Sequence, residues 1–468
     1  MLLFFQTNPV LIGDYAFFSF VAERLITGDR LYIDIWDNKE PFLFYILAVG
    51  RLLSPLSGWF IEFLWFAVAA TASYAIASRL GLSVRRSALT AGVGIPIVMA
   101  GVYYWPGSSH TPGVALALVT IGLYQANRTY LAGLCLGALP FLKILVFPTT
   151  AAVVVMLLIL SWEWRRALRL LTGVLTAVGL TVLLLAARDE WGGFQRYLIY
   201  NSDYSTQVVG ASSFYDSLLE HLSRVFDARI LLALAVATLI LSVVLVVGIR
   251  FHHLSDDVSK MALSTGGGFA ASILTLALTA QWDHHAMVLA IPFALTLLLM
   301  AAALPLRDSY IAFGLTVVTA YLLAGAPSFD RLINKLEFAR ADISLQVTPP
   351  DIGLDEVAAP NKTFARVGGG DINGIAPLLK DWDVACPYIA QYWWDPPERL
   401  EDTLACLENV DVIYISRREF SATPGDSALN DFQDSVENLL KEKFTCSDVT
   451  GGQLCQATHR TELTISDS

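Results

Sequence analysis

Charged side chains cluster between two strongly apolar runs near the start of the chain. The segment LYIDIWDNKEPFLFYIL, which begins at residue 31, contains Asp34, Asp37, Lys39 and Glu40, and Asp14 lies upstream of it. A carboxylate can act as a general base, and a lysine ammonium group is a compact positive charge that can hold a phosphate. Ionisable groups at the edge of an apolar segment therefore indicate acid–base or anion-binding chemistry at a membrane boundary.

The composition is that of a membrane protein. Of the 468 residues, 55% are hydrophobic and 16% are charged, whereas about a quarter of the residues of a soluble domain are charged. The mean hydropathy is +0.55. The sequence has no glycine-rich nucleotide fingerprint and no basic patch, so we predict membrane lipids and no nucleic acid among its partners.

The apolar segments predict a mainly α-helical, polytopic membrane bundle of about ten or eleven spans. We assign residues 1–57 to a truncated N-terminus and first loop with interfacial helices, 58–326 to the membrane body and 327–468 to a soluble α/β domain. Two N-terminal stretches, 15–28 and 41–57, are predicted to be amphipathic or interfacial helices. The predicted spans are 58–78, 88–105, 111–126, 129–142, 145–161, 170–187, 227–249, 262–280, 286–304 and 308–326.

Positive charges determine the predicted orientation. Lysine and arginine residues fall in alternate short connections, and the positive-inside rule places those connections in the cytoplasm. They are Arg79, Arg85, Arg86, Arg128, Arg165, Arg166, Arg169, Arg250, Lys260 and Arg307. Ten spans that begin outside also end outside, so we expect the first loop and the C-terminal domain on the extracytoplasmic face of the cell membrane. The connection 188–226, which is rich in aromatic residues, is then predicted to be a long outer loop.

The acidic C-terminal region favours the same orientation. Residues 327–468 contain 24 acidic and 12 basic residues, together with Cys386, Cys406, Cys446 and Cys455. Four cysteines in one small polar domain indicate two disulfides and an oxidising compartment. Three connectivities are open, of which we favour nearest-neighbour pairing. The stretches TFARVG and DVIYIS are predicted to be strands, and SALNDFQDSVENLLKEKF is predicted to be an amphipathic helix.

Three motifs carry a resemblance to a known family. The stretch GDYAFFSFVAERLITGDRLYIDIWDNKEPFLFYIL resembles the first extracytoplasmic loop of GT-C superfamily glycosyltransferases, in particular the protein mannosyltransferase and aminoarabinose transferase-like branch. LAGLCLGALPFLKILVFPTTAAVVV is similar to that family's glycine-rich span ending in a lysine, and QWDHHAMVLAIPFAL is similar to its late loop. The sequence departs from the family pattern at Tyr15, Asn38 and Glu40, which stand where glutamate, histidine and proline are common.

The resemblance implies an inverting glycosyltransferase that moves a sugar, with mannose expected, from a polyprenyl- or dolichyl-phosphate carrier. The expected acceptor is an extracytoplasmic glycan, a lipid-linked glycan or a protein. It assigns Asp14 as the general base and Lys39 and Lys143 as ligands of the donor phosphate. Substrate contacts are expected from polar residues of the outer loops: Asp34, Asp37, His110, Tyr204, His284 and His285.

Other interpretations stay open. Asp283 with the two following histidines could hold a divalent cation, but adjacent helical residues face different directions, so we assign no metal ligand and no cofactor. Asp14 could cap the helix that follows it, Asp34 could pair with Arg30, and both lysines could extend to the membrane interface. For the whole chain, the alternatives are a polytopic transporter, which predicts internal repeats and charges at mid-membrane, and a non-catalytic GT-C-like scaffold.

Overall fold

The computed structural model contains a bundle of α-helices followed by a five-stranded sheet. The structure describes residues 14–53, 57–103, 109–209, 255–279, 283–303, 362–367, 383–388, 397–416, 427–449 and 452–458. Two of the predicted spans, 227–249 and 308–326, lie outside these residues.

The other eight predicted spans coincide with helices. The described helices of this part are α1 (Asp14–Thr27), α2 (Pro41–Leu53), α3 (Ser57–Arg79), α4 (Val84–Leu89), α5 (Ile95–Tyr103), α6 (His110–Gln125), α7 (Thr129–Lys143), α8 (Val146–Ser161), α9 (Trp164–Ala187), α10 (Trp191–Val209), α11 (Asp256–Leu278) and α12 (Ala290–Ala303). A π-helical turn, Thr90–Gly94, joins α4 to α5, and a 3-10 helix, Asp283–Leu289, precedes α12. Helices α1, α2 and α10 lie outside the predicted spans, and the rest follow them closely.

Several helices are apolar enough for a bilayer. Within the described residues, three helices have the length and composition to cross a membrane: Ile61–Arg79 of α3, α9 and α11. Helices α2, α7 and α8 and the stretch Met287–Ala302 are shorter and also apolar. Because a span needs about 20 residues, the shorter helices that coincide with predicted spans, α7, α8 and Met287–Ala302, must reach the interface through their flanking residues or through local thinning of the bilayer.

The two N-terminal helices lie side by side and run in the same direction. The Phe18 and Phe44 rings meet edge to face with centroids 5.8 Å apart, and five residues further along α1 the Glu23 carboxylate pairs with Arg51 at 3.0 Å. Both helices bury an apolar face, as the amphipathic pattern predicts. Their first turns therefore lie at the same end of the pair.

The connection after α9 was predicted to be a loop, but its first part is a helix. Residues Trp191–Val209 form helix α10. Phe194, Tyr197 and Tyr200 recur at helical spacing and are buried against the first loop, residues 28–40 between α1 and α2. The aromatic residues of this connection therefore form one face of a helix. The remainder of this connection, 210–226, lies outside the described residues.

The described strands of the C-terminal domain are β1 (Thr363–Val367), β2 (Asp383–Val384), β3 (Val412–Ser416), β4 (Phe444–Val449) and β5 (Gly452–Ala457). They form a mixed sheet in the order β2-β1-β3-β5-β4. Strand β1 pairs in parallel with β2 and β3, whereas β5 pairs antiparallel with both β3 and β4. Phe364 and Tyr414 lie in the same apolar cluster as the first loop, whereas Ala365 and Ile413 face the two helices of the domain. This alternation buries both faces of the sheet. The two helices of the domain are α13 (Pro397–Leu407) and α14 (Ser427–Lys443).

The predicted strands, amphipathic helix and disulfide pairing of this domain are confirmed. TFARVG and DVIYIS contain strands β1 and β3, and the predicted amphipathic helix is α14. The disulfides are Cys386–Cys406 and Cys446–Cys455, which is the nearest-neighbour pairing. The sequence pattern did not predict α13 or the β4–β5 hairpin.

Candidate functional site

A buried ion pair joins the end of α7 to the start of α2. The Lys143 ammonium lies 3.8 Å from Glu40 Oε1, and the two residues are only 5% and 3% exposed. The backbone N–H of Ile144, just after α7, donates to the same Glu40 oxygen at 3.0 Å. Glu40 was not among the predicted site residues, although a carboxylate at the entrance to an apolar helix is a signal that could have identified it.

The first turn of α6 packs directly against Lys143. A Cβ atom on Gly113 would lie 2.9 Å from Lys143 Cβ, so only glycine permits this approach. His110 begins the same helix and is buried. Among the described residues, three buried oxygens at this end have no hydrogen-bond partner: Ser109 Oγ, Thr111 Oγ1 and Glu40 Oε2. Buried polar atoms of this kind are costly unless water or a ligand satisfies them.

Lys39 lies beside this pair in the chain, on a turn with a defined geometry. Its ammonium group donates to Asn38 Oδ1 at 2.8 Å, and its backbone N–H donates to Asp37 Oδ1 at 2.7 Å. The Tyr32 hydroxyl donates to the Lys39 carbonyl at 2.6 Å. The Asp37 carboxylate therefore shapes the turn that presents Lys39, which directly precedes Glu40 in the chain.

Asp34 participates in an ion-pair network. Its carboxylate pairs with Arg30 at 2.9 Å, and Arg30 also pairs with Asp189 at 2.7 Å. Hydrogen bonds from Arg30 hold the pKa of Asp34 below its usual range. The pairing with Arg30 is the structural role that the sequence left open for Asp34. A direct contact of Asp34 with substrate stays a prediction.

A fully buried carboxylate anchors the first loop to the junction of α9 and α10. Glu190 accepts hydrogen bonds from the Leu31 backbone N–H at 3.0 Å, from Arg188 at 2.8 Å and from the Tyr45 hydroxyl. Sequence reasoning missed Glu190, because two of its partners, Leu31 and Tyr45, lie far away in the chain. Its function in the fold is to hold the loop that carries Lys39.

The remaining predicted residues are described only in part. Asp14 is the first residue of α1, level with the start of α2 and therefore with Glu40, and its side chain lies outside the described part of the chain. The side chains of Tyr204, in α10, and His284, in the 3-10 helix, lie outside it as well. His285 is half-buried in that 3-10 helix.

Further contacts place the 3-10 helix at the same end of the bundle. Ser272 Oγ contacts both Thr149 Oγ1, at 2.9 Å, and the Val288 carbonyl, at 3.3 Å. Thr149 lies in the first turns of α8, close to Lys143 in the chain, and the 3-10 helix also contacts α6. In the part of the chain that the structure describes, no group of three or more His, Cys, Asp or Glu residues could hold a metal ion.

Comparisons with known proteins give the fold. No protein-family model and no curated protein matches the chain. Among solved structures, it is similar to ArnT from Cupriavidus metallidurans bound to undecaprenyl phosphate, with a TM-score of 0.56 and 13% identity over 97% of this chain and 95% of that one. It is also similar to the oligosaccharyltransferase AglB from Archaeoglobus fulgidus, in complex with an inhibitory peptide and a dolichol-phosphate, with a TM-score of 0.41 and 11% identity over 95% and 70%. The likeness to ArnT confirms the predicted fold class, a mainly α-helical, polytopic GT-C-like membrane bundle with a small C-terminal α/β domain.

Proposed function

We propose that this GT-C-like membrane protein is an inverting glycosyltransferase. It moves a sugar, mannose in our proposal, from a polyprenyl- or dolichyl-phosphate carrier to a glycan, a lipid-linked glycan or a protein on the extracytoplasmic face. ArnT, whose fold the chain shares, was solved with undecaprenyl phosphate bound. A carrier of this type keeps its tail in the bilayer and its phosphate at the interface, so the site must lie at one end of the bundle.

The observation that carries the proposal is the convergence at Lys143. At the point where α7 ends and α2 begins, its buried ammonium group contacts the Glu40 carboxylate. The first turn of α6 packs against the same lysine. Lys39 adds a second cation one residue from Glu40. The buried Lys143 ammonium, the Glu40 carboxylate and the hydroxyls at the start of α6 suit a ligand that combines an anionic phosphate with sugar hydroxyls.

The chemistry follows from these groups. The acceptor oxygen attacks the anomeric carbon from the side opposite the phosphate, and Asp14 takes the proton of that hydroxyl. The bond between the anomeric carbon and the phosphate oxygen breaks, and Lys39 and Lys143 stabilise the negative charge on the departing carrier phosphate. Glu40 and the hydroxyls of Ser109 and Thr111 would bind sugar hydroxyls.

The other predicted residues complete the proposed substrate site. His110, Tyr204, His284 and His285 belong to elements of this end of the bundle or to the adjoining helix α10, and we propose that they contact the donor sugar or the acceptor. Asp37 contributes by shaping the turn of Lys39, and Asp34 by its pairing with Arg30.

The test is sugar transfer by the purified protein in lipid nanodiscs, with synthetic polyprenyl-phosphate mannose as donor. The wild type should release the polyprenyl phosphate and form a glycoside of inverted anomeric configuration. Asp14→Asn should lower kcat by about 100-fold or more, the contribution of a general base. Asp434→Asn, which makes the same change at an exposed position of α14, should retain wild-type activity.

Three results would contradict the proposal in part or in whole. Full activity of a correctly inserted Asp14→Asn variant would remove Asp14 from the mechanism. Solute uptake into proteoliposomes without any lipid donor, and no transfer from any polyprenyl-phosphate sugar, would indicate a transporter. Absence of both activities, with unchanged surface glycans in a deletion strain, would indicate a scaffold.

A further inference from the structure

An arginine of the C-terminal domain occupies an aromatic cage beside the first loop. The Arg399 guanidinium carbon lies 4.7 Å from the ring centre of Tyr388, 5.1 Å from that of Tyr200 and 5.7 Å from that of Trp36. Arg399 is 8% exposed and Trp36 is 5% exposed. The three rings belong to the C-terminal domain, to α10 and to the first loop, so one side chain joins three separate parts of the chain.

The rings also contact one another. Trp36 meets Tyr200 edge to face with centroids 5.8 Å apart, and it lies 5.6 Å from Tyr388. Arginine suits such a cage better than lysine, because its planar guanidinium group stacks on aromatic faces and loses less hydration on burial.

Backbone contacts and a disulfide hold the cage together. The Trp36 N–H donates to the Pro387 carbonyl at 2.9 Å, so the first loop and the C-terminal domain share a main-chain hydrogen bond. Tyr388 follows Cys386 by two residues, and Arg399 precedes Cys406 on α13 by two helical turns. The Cys386–Cys406 disulfide therefore joins the segment that supplies one ring to the helix that supplies the cation.

The cage lies directly before the turn that presents Lys39. Trp36 is followed by Asp37, whose carboxylate accepts the Lys39 backbone N–H. On the other side of the ring, Tyr32 lies 5.8 Å from Trp36 and donates its hydroxyl to the Lys39 carbonyl. Trp36 is thus next in the chain to one group that fixes the backbone of Lys39 and in ring contact with the other.

We infer that Arg399 is a positioning residue, through which the C-terminal domain sets the place of Lys39 in the donor site. The inferred effect on donor binding rests on the proposed function. The effect on the first loop does not, because it depends only on the contacts of Trp36, and it can be measured without any substrate.

The experiment compares Arg399→Met with Glu401→Gln in full-length protein in nanodiscs. Glu401 lies two residues away on α13 and is exposed, so its variant controls for changes to this helix. Hydrogen exchange of the backbone amides of residues 36–39 reports the loop, and steady-state kinetics with polyprenyl-phosphate mannose report the site. Arg399→Met should exchange faster at Trp36 and Lys39 and should raise the donor KM by about fivefold or more, the usual lower range for coupling between two sites. The acceptor KM should stay unchanged, and Arg399→Lys should recover part of the loss.

The outcomes separate the two proposals. Wild-type exchange at residues 36–39 and a wild-type donor KM in Arg399→Met would overturn the inference. Faster exchange throughout the bundle would also overturn it, because Arg399 would then support the whole fold rather than the loop. If the wild type transfers no sugar, the proposed function fails while the exchange data still decide whether Arg399 positions the loop. Should Arg399→Met fail to fold, Tyr388→Leu removes one ring of the cage and is judged by the same two readouts.

Discussion

The pairing of Lys143 with Glu40 has both a structural and a chemical consequence. Two buried charges stabilise each other only as a pair, and the loss of one partner leaves the other at a high cost, commonly about 3 to 5 kcal/mol. Here the pair also ties the start of α2 to the end of α7. A single substitution of Lys143 therefore combines a loss of stability with any loss of phosphate binding.

A double substitution separates the two effects. Lys143→Met should lower the free energy of unfolding by about 3 kcal/mol, because Glu40 keeps only its bond from Ile144. Glu40→Gln/Lys143→Met should recover most of that stability, since the amide oxygen can still accept the Ile144 N–H. Thermal unfolding and donor KM are measured for both variants. Glu40→Gln alone is the reference, because Glu40 is itself proposed to contact the sugar. If Lys143 holds the donor phosphate, the double variant folds well and binds donor more poorly than Glu40→Gln; an equal donor KM in these two variants would make Lys143 purely structural.

The residues found from sequence and those missed differ in a physical way. Lys143 was predicted from the resemblance and from its place at the end of an apolar helix, where a cation indicates a function, an ion pair or an extension to the interface. Glu40 stood out as a charge at the entrance to an apolar helix, but its pairing with Lys143 was not predicted. Glu190 escaped, and in both cases the decisive partners are close only after folding. Arg399 escaped for the same reason: nothing in its own helix indicates that Trp36 and Tyr200 would surround it.

At the level of elements, helices α7 and α9 approach through glycines. A Cβ atom on Gly133 would overlap the Leu170 carbonyl oxygen, and one on Gly173 would overlap the Tyr130 carbonyl oxygen. One turn further along, a Cβ atom on Gly137 would lie 2.7 Å from the Val174 carbonyl. Small residues four apart let membrane helices pack backbone to backbone, where van der Waals contact replaces the missing hydrophobic driving force. This contact holds α7, and with it Lys143, against α9.

Two alanine substitutions in α9 test this packing. Gly173→Ala should destabilise the protein by about 1 to 3 kcal/mol, the cost of overpacking a tight contact. Gly179→Ala, in the same helix with open space around it, should be neutral or slightly stabilising, because alanine favours helix by about 1 kcal/mol over glycine. The measurement is the thermal unfolding midpoint in detergent. Equal midpoints for the two variants would show that the α7–α9 contact tolerates side chains.

The elements themselves could be predicted to different degrees. Apolar runs determine membrane helices almost unaided, because a bilayer imposes one length and one composition, and the eight spans within the described residues coincide with helices. Helix α10 was predicted as a loop because its mean hydropathy is too low for a membrane span. Its aromatic face packs against protein rather than lipid, so the helix needs no apolar surface all round. The β4–β5 hairpin was missed because its partner strand, β3, lies far away in the chain.

For the whole molecule, the contacts determine which parts share a side of the membrane. The Trp36–Pro387 hydrogen bond and the packing of Phe364 and Tyr414 on the first-loop cluster place the C-terminal domain and the first loop together. The arginine-rich connection at Arg165 lies at the start of α9, whereas the junction with Glu190, which contacts the first loop, lies after its end. The candidate site and the C-terminal domain therefore lie at one end of the bundle, and the opposite end is rich in arginine.

Site-directed labelling decides which end is outside. In a Cys135→Ala background, the remaining native cysteines are all disulfide-bonded, so a maleimide reacts only with an introduced thiol. We expect a membrane-impermeant maleimide to label Glu401→Cys in intact cells and to label Arg165→Cys only after permeabilisation, because both positions are exposed and the positive-inside rule places the arginine-rich end in the cytoplasm. The reverse pattern would place the two disulfides in a reducing compartment and the carrier phosphate on the cytoplasmic leaflet. The donor would then have to be used on the inner face, and the extracytoplasmic transfer proposed for this protein would be wrong even if its chemistry were right.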